Sequence, residues 1–271
     1  MICALDFARP CLSKLGKIEA NRCNGGKMPY QLQVRFFAAI AASLTLCMSL
    51  SARATQEIKT NNVHMPNAPT WLNQSRTERV VDSIQSKMQW DIRRVEVTWY
   101  PDAASFAQAN TLGPSAIAIT RRSDSSVHLG PQVENDNFDQ VFAHEMVHVI
   151  SQQKYKGAIP NWLEEGLANH LSHYGAVDYP WLARQTPVND VTELIHPFTG
   201  SATRTKYVYM ASQALAEMIS AKCDITELLR MSVKRKLENY LGNICDIHDL
   251  NASFKAWVAS KAGTKVQATH N

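Results

Sequence analysis

A single helical segment places the strongest limit on how this chain can fold. Between residues 138 and 153, apolar residues recur with the spacing of an α-helix, and they continue on both sides of the segment HEMVH at residues 144–148. A helix that is apolar all round is packed inside a protein rather than on its surface. The polar groups of this segment are therefore predicted to face inward or into a cleft, where they are costly unless they are paired or bound to a metal ion.

The spacing within this segment suits metal ligation. Residues four apart lie on one face of a helix, about one turn apart, so His144 and His148 can both reach a single ion. Glu145 lies about 100° further round the helix and can reach a water on the metal without being a ligand itself. The H-E-x-x-H pattern is typical of zinc metalloproteases. A third ligand must then come from elsewhere in the chain.

Two routes to the third ligand can be compared in the sequence. Metzincins place Gly and His three and six positions after the second histidine, but Ser151 and Lys154 occupy those positions here, so that route is excluded. The second route uses a glutamate on a following helix. The segment NWLEEGLA at residues 161–168 supplies two candidates.

A capping argument separates the two glutamates. If Asn161 is the N-cap of the second helix, Glu164 is its third helical residue and completes a capping box, which is a structural role. Glu165 then projects about 100° away and is free to ligate. The sequence favours Glu165 as the third ligand, with Glu164 as the alternative.

The two motifs together resemble a known family. FAHEMVHVI at 142–150, followed by PNWLEEGLANHL at 160–171, resembles the Peptidase MA-like gluzincins, the superfamily of thermolysin and the neutral aminopeptidases. Their second motif is W-[LF]-x-E-G-[LF]-A, and the resemblance implies that its glutamate, Glu165 here, is the third zinc ligand. The resemblance covers roughly residues 115–240. It implies an α+β fold in which a small N-terminal mixed sheet, with an edge strand over the zinc-binding active-site helix, precedes a mainly helical C-terminal part.

The resemblance also implies an activity. One Zn²⁺ held by His144, His148 and Glu165 would leave a fourth position for water, and Glu145 would take the proton of that water as it attacks a peptide carbonyl. The expected function is thus an exported zinc metallopeptidase that acts on a peptide or protein. The alternatives are an inactive, peptidase-like zinc-binding or interaction module of the cell envelope, a zinc hydrolase for another bond, and a structural protein without metal.

Three further positions are drawn from the same resemblance. Gluzincins commonly place a tyrosine on a later helix to stabilise the oxyanion, and Tyr209 matches that element better than Tyr207, with a core aromatic role as the alternative. Asn169, one turn beyond the third ligand, could hydrogen-bond a ligating histidine. The strand at 126–129 is expected to pair with extended substrate, or else to be an ordinary strand of the sheet.

The N-terminal region is predicted to be a secretory signal. Residues 36–50 carry no charge, and the A-x-A pattern that follows at 52–54 is a typical cleavage site, which predicts a signal at 1–54 and a single domain at 55–271. The true start could be Met28, and an uncleaved membrane anchor is the alternative. The protein is therefore expected to be periplasmic or secreted, with no stable membrane span after cleavage.

The charge of the chain is concentrated in this predicted signal. The chain has 28 Lys+Arg and 24 Asp+Glu, a formal net charge of +4, but residues 1–54 contain 7 of these basic residues and only 2 of the acidic ones. Residues 55–271 therefore carry 21 basic and 22 acidic residues, a net charge of −1. No long basic run remains to follow a phosphate backbone, so nucleic-acid binding is not expected.

The positions of the cysteines predict a disulfide, and the hydrophobic patterns predict the order of strands and helices. Four of six cysteines lie in the predicted signal, and the remaining Cys223 and Cys245 are expected to form a disulfide, with two buried thiols as the alternative. Strands are predicted before helices, which indicates an α+β domain. The predicted strands are 93–100, 115–120 and 126–129, and the predicted helices include 75–89, 138–153, a helix starting at 161, 205–221, 224–241 and 251–262.

Overall fold

The N-terminal part of the chain forms a mixed β-sheet in the computed structural model, which describes residues 2–3, 55–110, 112–113, 116–195 and 201–267. The predicted signal at 1–54, with the proposed start at Met28, lies outside these residues except for positions 2–3. The strands are β1 (Ile2–Cys3), β2 (Thr55–Lys59), β3 (Val63–Pro69), β4 (Val95–Trp99), β5 (Ala116–Arg121) and β6 (Ser126–Leu129). Their order in the sheet is β1-β5-β6-β4-β3-β2.

Two helices connect strands of this sheet. Helix α1 (Gln74–Met88) lies between β3 and β4, which are parallel and so require a crossover connection. Asn73 caps it by accepting a hydrogen bond from the backbone N–H of Arg76, and its buried stripe includes Val80 and Ile84. Helix α2 (Ala103–Ala109) joins β4 to β5. The predicted helix at 75–89 and the predicted strands from 93 onwards are confirmed.

Strand β6 lies inside the sheet, which corrects one prediction. It pairs in parallel with β4 and antiparallel with β5, so that His128 lies between Thr98 and Ile119. Its backbone groups are used on both sides, and the expectation that substrate pairs with residues 126–129 is wrong. Strand β5 pairs with β6 on one side and is less occupied on its other side. Among the described residues, that other side is paired only with the two residues of β1, which lie opposite Ala118 and Ala116.

The C-terminal part is mainly helical. Its first helix, α3, contains the HEMVH segment, lies at the centre of the core and contacts α1, α4 and β5. It runs directly into a π-helical turn. The elements are α3 (Phe138–Ile150), the π-helical turn (Ser151–Tyr155), α4 (Asn161–Ser172), α5 (Tyr179–Leu182), a 3₁₀ turn (Val191–Glu193), α6 (Ala202–Lys222), α7 (Ile225–Met231), α8 (Glu238–Cys245) and α9 (Leu250–Gln267). An α+β fold with a mixed sheet followed by helices is therefore observed, as predicted.

The predicted single helix at 224–241 is wrong, because the chain turns within it. Helix α7 ends at Met231, where the hydroxyl of the buried Ser232 donates a hydrogen bond back to the carbonyl of Leu228. Lys234 then takes a left-handed conformation, with a φ of 62°, which a helix does not allow. Helix α8 begins at Glu238.

The predicted disulfide is present. Cys223, directly after α6, is bonded to Cys245, the last residue of α8, with 4.8 Å between the two Cα atoms. The bridge closes a loop that contains all of α7 and α8. Within the described residues, no helix has both the length and the apolar character to cross a membrane.

Helices α4 and α6 cross at a glycine. A Cβ atom on Gly166 would lie 1.9 Å from the carbonyl oxygen of Ser212, far inside any permitted contact. Only glycine therefore allows the two backbones to approach this closely at that point. The crossing holds α4 against the core and fixes the position of Glu165, the residue directly before it.

Candidate metal centre

Three side chains from two helices converge beside the core. His144 and His148 come from α3 and Glu165 from α4, and one ligand atom from each lies within 4.8 Å of the others. The two Nε2 atoms are 3.1 Å apart, and the Glu165 carboxylate oxygens lie 3.4 Å and 3.6 Å from them. All three residues are buried. This group could hold a metal ion.

The chemistry of the donor set fits a divalent cation. Two imidazoles and one carboxylate form the ligand set of many catalytic zinc sites, which keep one position open. Burial lowers the pKa of His144 to about 4, so its imidazole is neutral at ordinary pH and can offer a lone pair. A cation would balance the negative charge of a carboxylate buried beside imidazole nitrogens.

Glu164 contacts His148 and does not cap the helix. We call His144, His148 and Glu165 the ligand group. Helix α4 begins at Asn161 itself, with Pro160 as its N-cap and no side-chain capping hydrogen bond. The predicted capping box is therefore wrong by one residue. Instead, Oε1 of Glu164 lies 3.0 Å from Nδ1 of His148, on the side of the ring away from the ligand group.

This contact fixes the tautomer of His148. An Nδ1–H that donates to Glu164 leaves the lone pair on Nε2, the atom that faces the other ligands. The second oxygen of Glu164 accepts a hydrogen bond from Nη2 of Arg122 at 2.6 Å. Burial by itself would raise the pKa of Glu164, but the hydrogen bond with His148 and the charge of Arg122 outweigh it and lower that pKa below its usual range.

Glu145 lies next to the ligand group without belonging to it. Its carboxylate is fully buried, and Oε2 accepts a hydrogen bond of 2.6 Å from the hydroxyl of Thr120 on β5. The same hydroxyl lies 3.2 Å from the backbone carbonyl oxygen of Glu145. Strand β5 therefore holds the glutamate of the HEMVH segment in place.

The structure places the predicted tyrosine near the helix crossing. Tyr209 is buried on α6, and it shares a face with Ser212, three residues later, whose carbonyl lies against Gly166 of α4. Tyr207 is engaged elsewhere, since its hydroxyl accepts a hydrogen bond of 3.0 Å from the backbone N–H of Val188. Asn169 is buried one turn beyond Glu165, but the hydrogen-bond partner of His148 at Nδ1 is Glu164.

Sequence reasoning missed three residues of the site. Thr120 and Arg122 lie at the end of β5 and just beyond it, and no motif marks either of them. Tyr174, which follows α4, places its ring edge-on against the ring of His144, with 6.2 Å between the centroids. The contact between Arg122 and Glu164 joins residues that are 42 positions apart in the sequence, so no local pattern indicates it.

Comparison with known proteins adds no relative. None of the protein-family models matches the chain, and no curated protein or solved structure that was compared matches it either. The site is therefore defined by its own geometry. It is a buried His-His-Glu group built on two helices, with a carboxylate behind one histidine and another carboxylate beside the ligands.

Proposed function

We propose that this chain is an exported zinc-dependent metallopeptidase of the gluzincin type. The observation that carries the proposal is the meeting of His144, His148 and Glu165 at ligand distance, with Glu145 held beside them. The same residues form the two motifs that resemble gluzincins in the sequence. A metal site of purely structural type normally has four protein ligands, whereas three ligands with a neighbouring carboxylate suit catalysis.

In this proposal each side chain has a distinct role. His144, His148 and Glu165 hold the zinc, which when bound supplies Lewis acidity that lowers the pKa of a coordinated water to about 7 and polarises the substrate carbonyl. Glu145 accepts the proton of the attacking water at its carboxylate and passes it to the amide nitrogen that leaves. Tyr209 is proposed to donate a hydrogen bond to the oxyanion.

The edge of β5 is the proposed path for the peptide. An extended peptide can add to an exposed strand edge through main-chain hydrogen bonds, and β5 also holds Glu145 through Thr120. Strand β1 already pairs antiparallel with this edge at Ala118 and Ala116. Cleavage of the predicted signal would remove β1 and leave the edge of β5 free for substrate.

Export is supported by two features of the chain. Residues 36–54 have the uncharged run and the A-x-A pattern of a secretory signal. The disulfide between Cys223 and Cys245 is of a kind that persists in oxidising compartments outside the cytosol. Both features favour a periplasmic or secreted protein.

Metal analysis and a peptide digest test the proposal together. Residues 55–271, purified without chelator, are expected to contain one zinc per chain and to cleave members of a peptide library, with cleavage lost on chelation and restored by zinc. Stoichiometric zinc without cleavage would instead identify a zinc-binding module. A chain that contains no metal and binds none would overturn the proposal.

A further inference from the structure

A depression lined with positive charge runs from Glu164 around the turn at Gly157. It consists of three adjoining cavities of about 250, 540 and 360 Å³, all of which are lined by Gly157. The first is bordered by Glu164, whose carboxylate contacts His148 of the ligand group. The first and second also share Arg122 and Gln152. The depression is therefore continuous, and it reaches Glu164 on the side of His148 away from the ligand group.

The charged residues of this depression are predominantly positive. Its positively charged lining residues all have exposed positions and are Arg93, Arg122, Lys156, Lys234, Arg235 and Lys236. The one carboxylate among its lining residues is Glu164, which is already engaged by Arg122 and His148. Close by, Asp124 is paired with Arg121 at 3.5 Å.

This concentration of charge comes from folding and not from composition. Residues 55–271 carry a net charge of −1. The positively charged lining residues come from four separate parts of the chain: the segment just before β4, the loop after β5, the turn after α3 and the turn after α7. A concave surface with concentrated positive charge attracts negatively charged ligands.

The neutral residues of the depression help to identify the ligand. Ser123, Ser125 and Gln152 add hydrogen-bonding groups without negative charge. Tyr155 is the aromatic residue among the lining side chains, and it is only 1% exposed, so the described residues that line the depression offer no aromatic ring on which bases could stack. A flexible polypeptide with carboxylate side chains fits this combination better than a nucleic acid does.

We propose that this depression binds an acidic segment of the polypeptide substrate, outside the bond that is cleaved. The inference rests on the proposed function, because it assigns the substrate class of the same site. A segment of the substrate that lies outside the cleaved bond would occupy the depression, and its carboxylates would pair with Arg93, Lys156 and Lys234. The protein thereby selects acidic substrates.

The test measures binding separately from cleavage. A fluorescein-labelled Glu-rich peptide and its Gln-substituted counterpart are titrated with residues 55–271, and fluorescence anisotropy is recorded at low and high salt. The acidic peptide is expected to bind at least tenfold more tightly at low salt and to lose that advantage at high salt. A variant with R93Q, K156Q and K234Q is expected to bind it about five- to tenfold more weakly.

A matched control removes the same charge elsewhere. A variant with K59Q, K222Q and K255Q also loses three positive charges, at exposed positions that do not line the depression. It is expected to bind the acidic peptide as the wild type does. Equal weakening in both triple variants would show a general charge effect and would overturn the inference.

The outcomes distinguish this inference from the proposed function. Cleavage with no preference for acidic peptides overturns the inference and leaves the peptidase proposal in place. Binding that depends on the three cations, without any cleavage, supports the depression and counts against the peptidase. Vesicles of phosphatidylglycerol that bind through the same cations, while the acidic peptide does not bind, would identify a membrane surface and overturn the inference.

Discussion

Oε1 of Glu164 lies 3.0 Å from Nδ1 of His148, and the other oxygen of the same carboxylate accepts a hydrogen bond from Arg122. A ligating histidine is commonly oriented in this way by a carboxylate behind it. Arg122 holds the carboxylate ionised and in position. The neighbouring Glu165 points to the other side and faces the Nε2 atoms of both histidines. Two adjacent glutamates thus have different roles.

Substitution of these two glutamates should affect metal binding to different degrees. E165A removes a ligand and is expected to abolish stoichiometric zinc binding. E164A leaves all three ligands and should weaken zinc affinity by about 10- to 100-fold, and E164Q should weaken it less because the amide oxygen still accepts from His148. Zinc affinity is measured by competition with a chromophoric chelator. Loss of zinc in E164A but not in E165A would reverse the assignment.

Thr120 is expected to position Glu145 for proton transfer. T120V removes the hydroxyl that donates to the Glu145 carboxylate while it keeps the shape of the side chain. We expect kcat to fall by about tenfold with little change in KM, because the glutamate is misplaced while substrate binding is retained. T120S should restore most of the activity, and both variants should bind zinc normally. Activity in T120V equal to that of the wild type would remove this role.

Gly166 is expected to tolerate no side chain. The added Cβ of G166A would collide with the carbonyl of Ser212, so helices α4 and α6 would have to separate. We expect a loss of about 3 kcal/mol of unfolding free energy, measured by urea denaturation. G263A is the control, since a Cβ at Gly263 in α9 meets nothing within 4 Å and should be neutral or slightly stabilising. Equal stability of the two variants would contradict the close crossing.

The disulfide should stabilise the helical part without contributing to the metal centre. Replacing Cys223 and Cys245 by serine opens a loop with a sequence separation of 22. The free energy of unfolding is expected to fall by roughly 3 kcal/mol, because the unfolded chain gains conformational freedom. Zinc content at 25 °C should be unchanged, since the ligands lie on α3 and α4. Loss of zinc in a variant that is still folded would show a coupling that this structure does not predict.

Local patterns predicted the elements whose environment is uniform. Helix α3 is buried on every side from Val141 onward, so its apolar spacing was sufficient, and the spacing of His144 and His148 placed both on one face. Strand β3 was missed because its sequence, VHMPNAP, contains two prolines that interrupt the alternation of a strand. Its place in the sheet depends on pairing with β2 and β4, which no local pattern records.

The parts of the site that escaped prediction depend on distant contacts or on a single residue. The sequence analysis placed the N-cap at Asn161, whereas the structure places it at Pro160. Because of this difference of one residue, Glu164 was predicted to cap the helix, although in the structure it contacts His148. The bond between Thr120 and Glu145 joins a strand to a helix across 25 residues. A threonine at the end of a strand has no distinctive pattern, so only the folded chain shows its partner.

A comparison of the wild type with E145Q tests the central proposal most directly. Both proteins, each shown to contain one zinc per chain, are incubated with the same peptide library, and the products are identified by mass spectrometry. Because Glu145 is beside the ligand group and is not a ligand, E145Q should retain zinc and lose cleavage by at least about 100-fold. Cleavage by E145Q at the wild-type rate would contradict the proposal that this protein is a metallopeptidase of the gluzincin type.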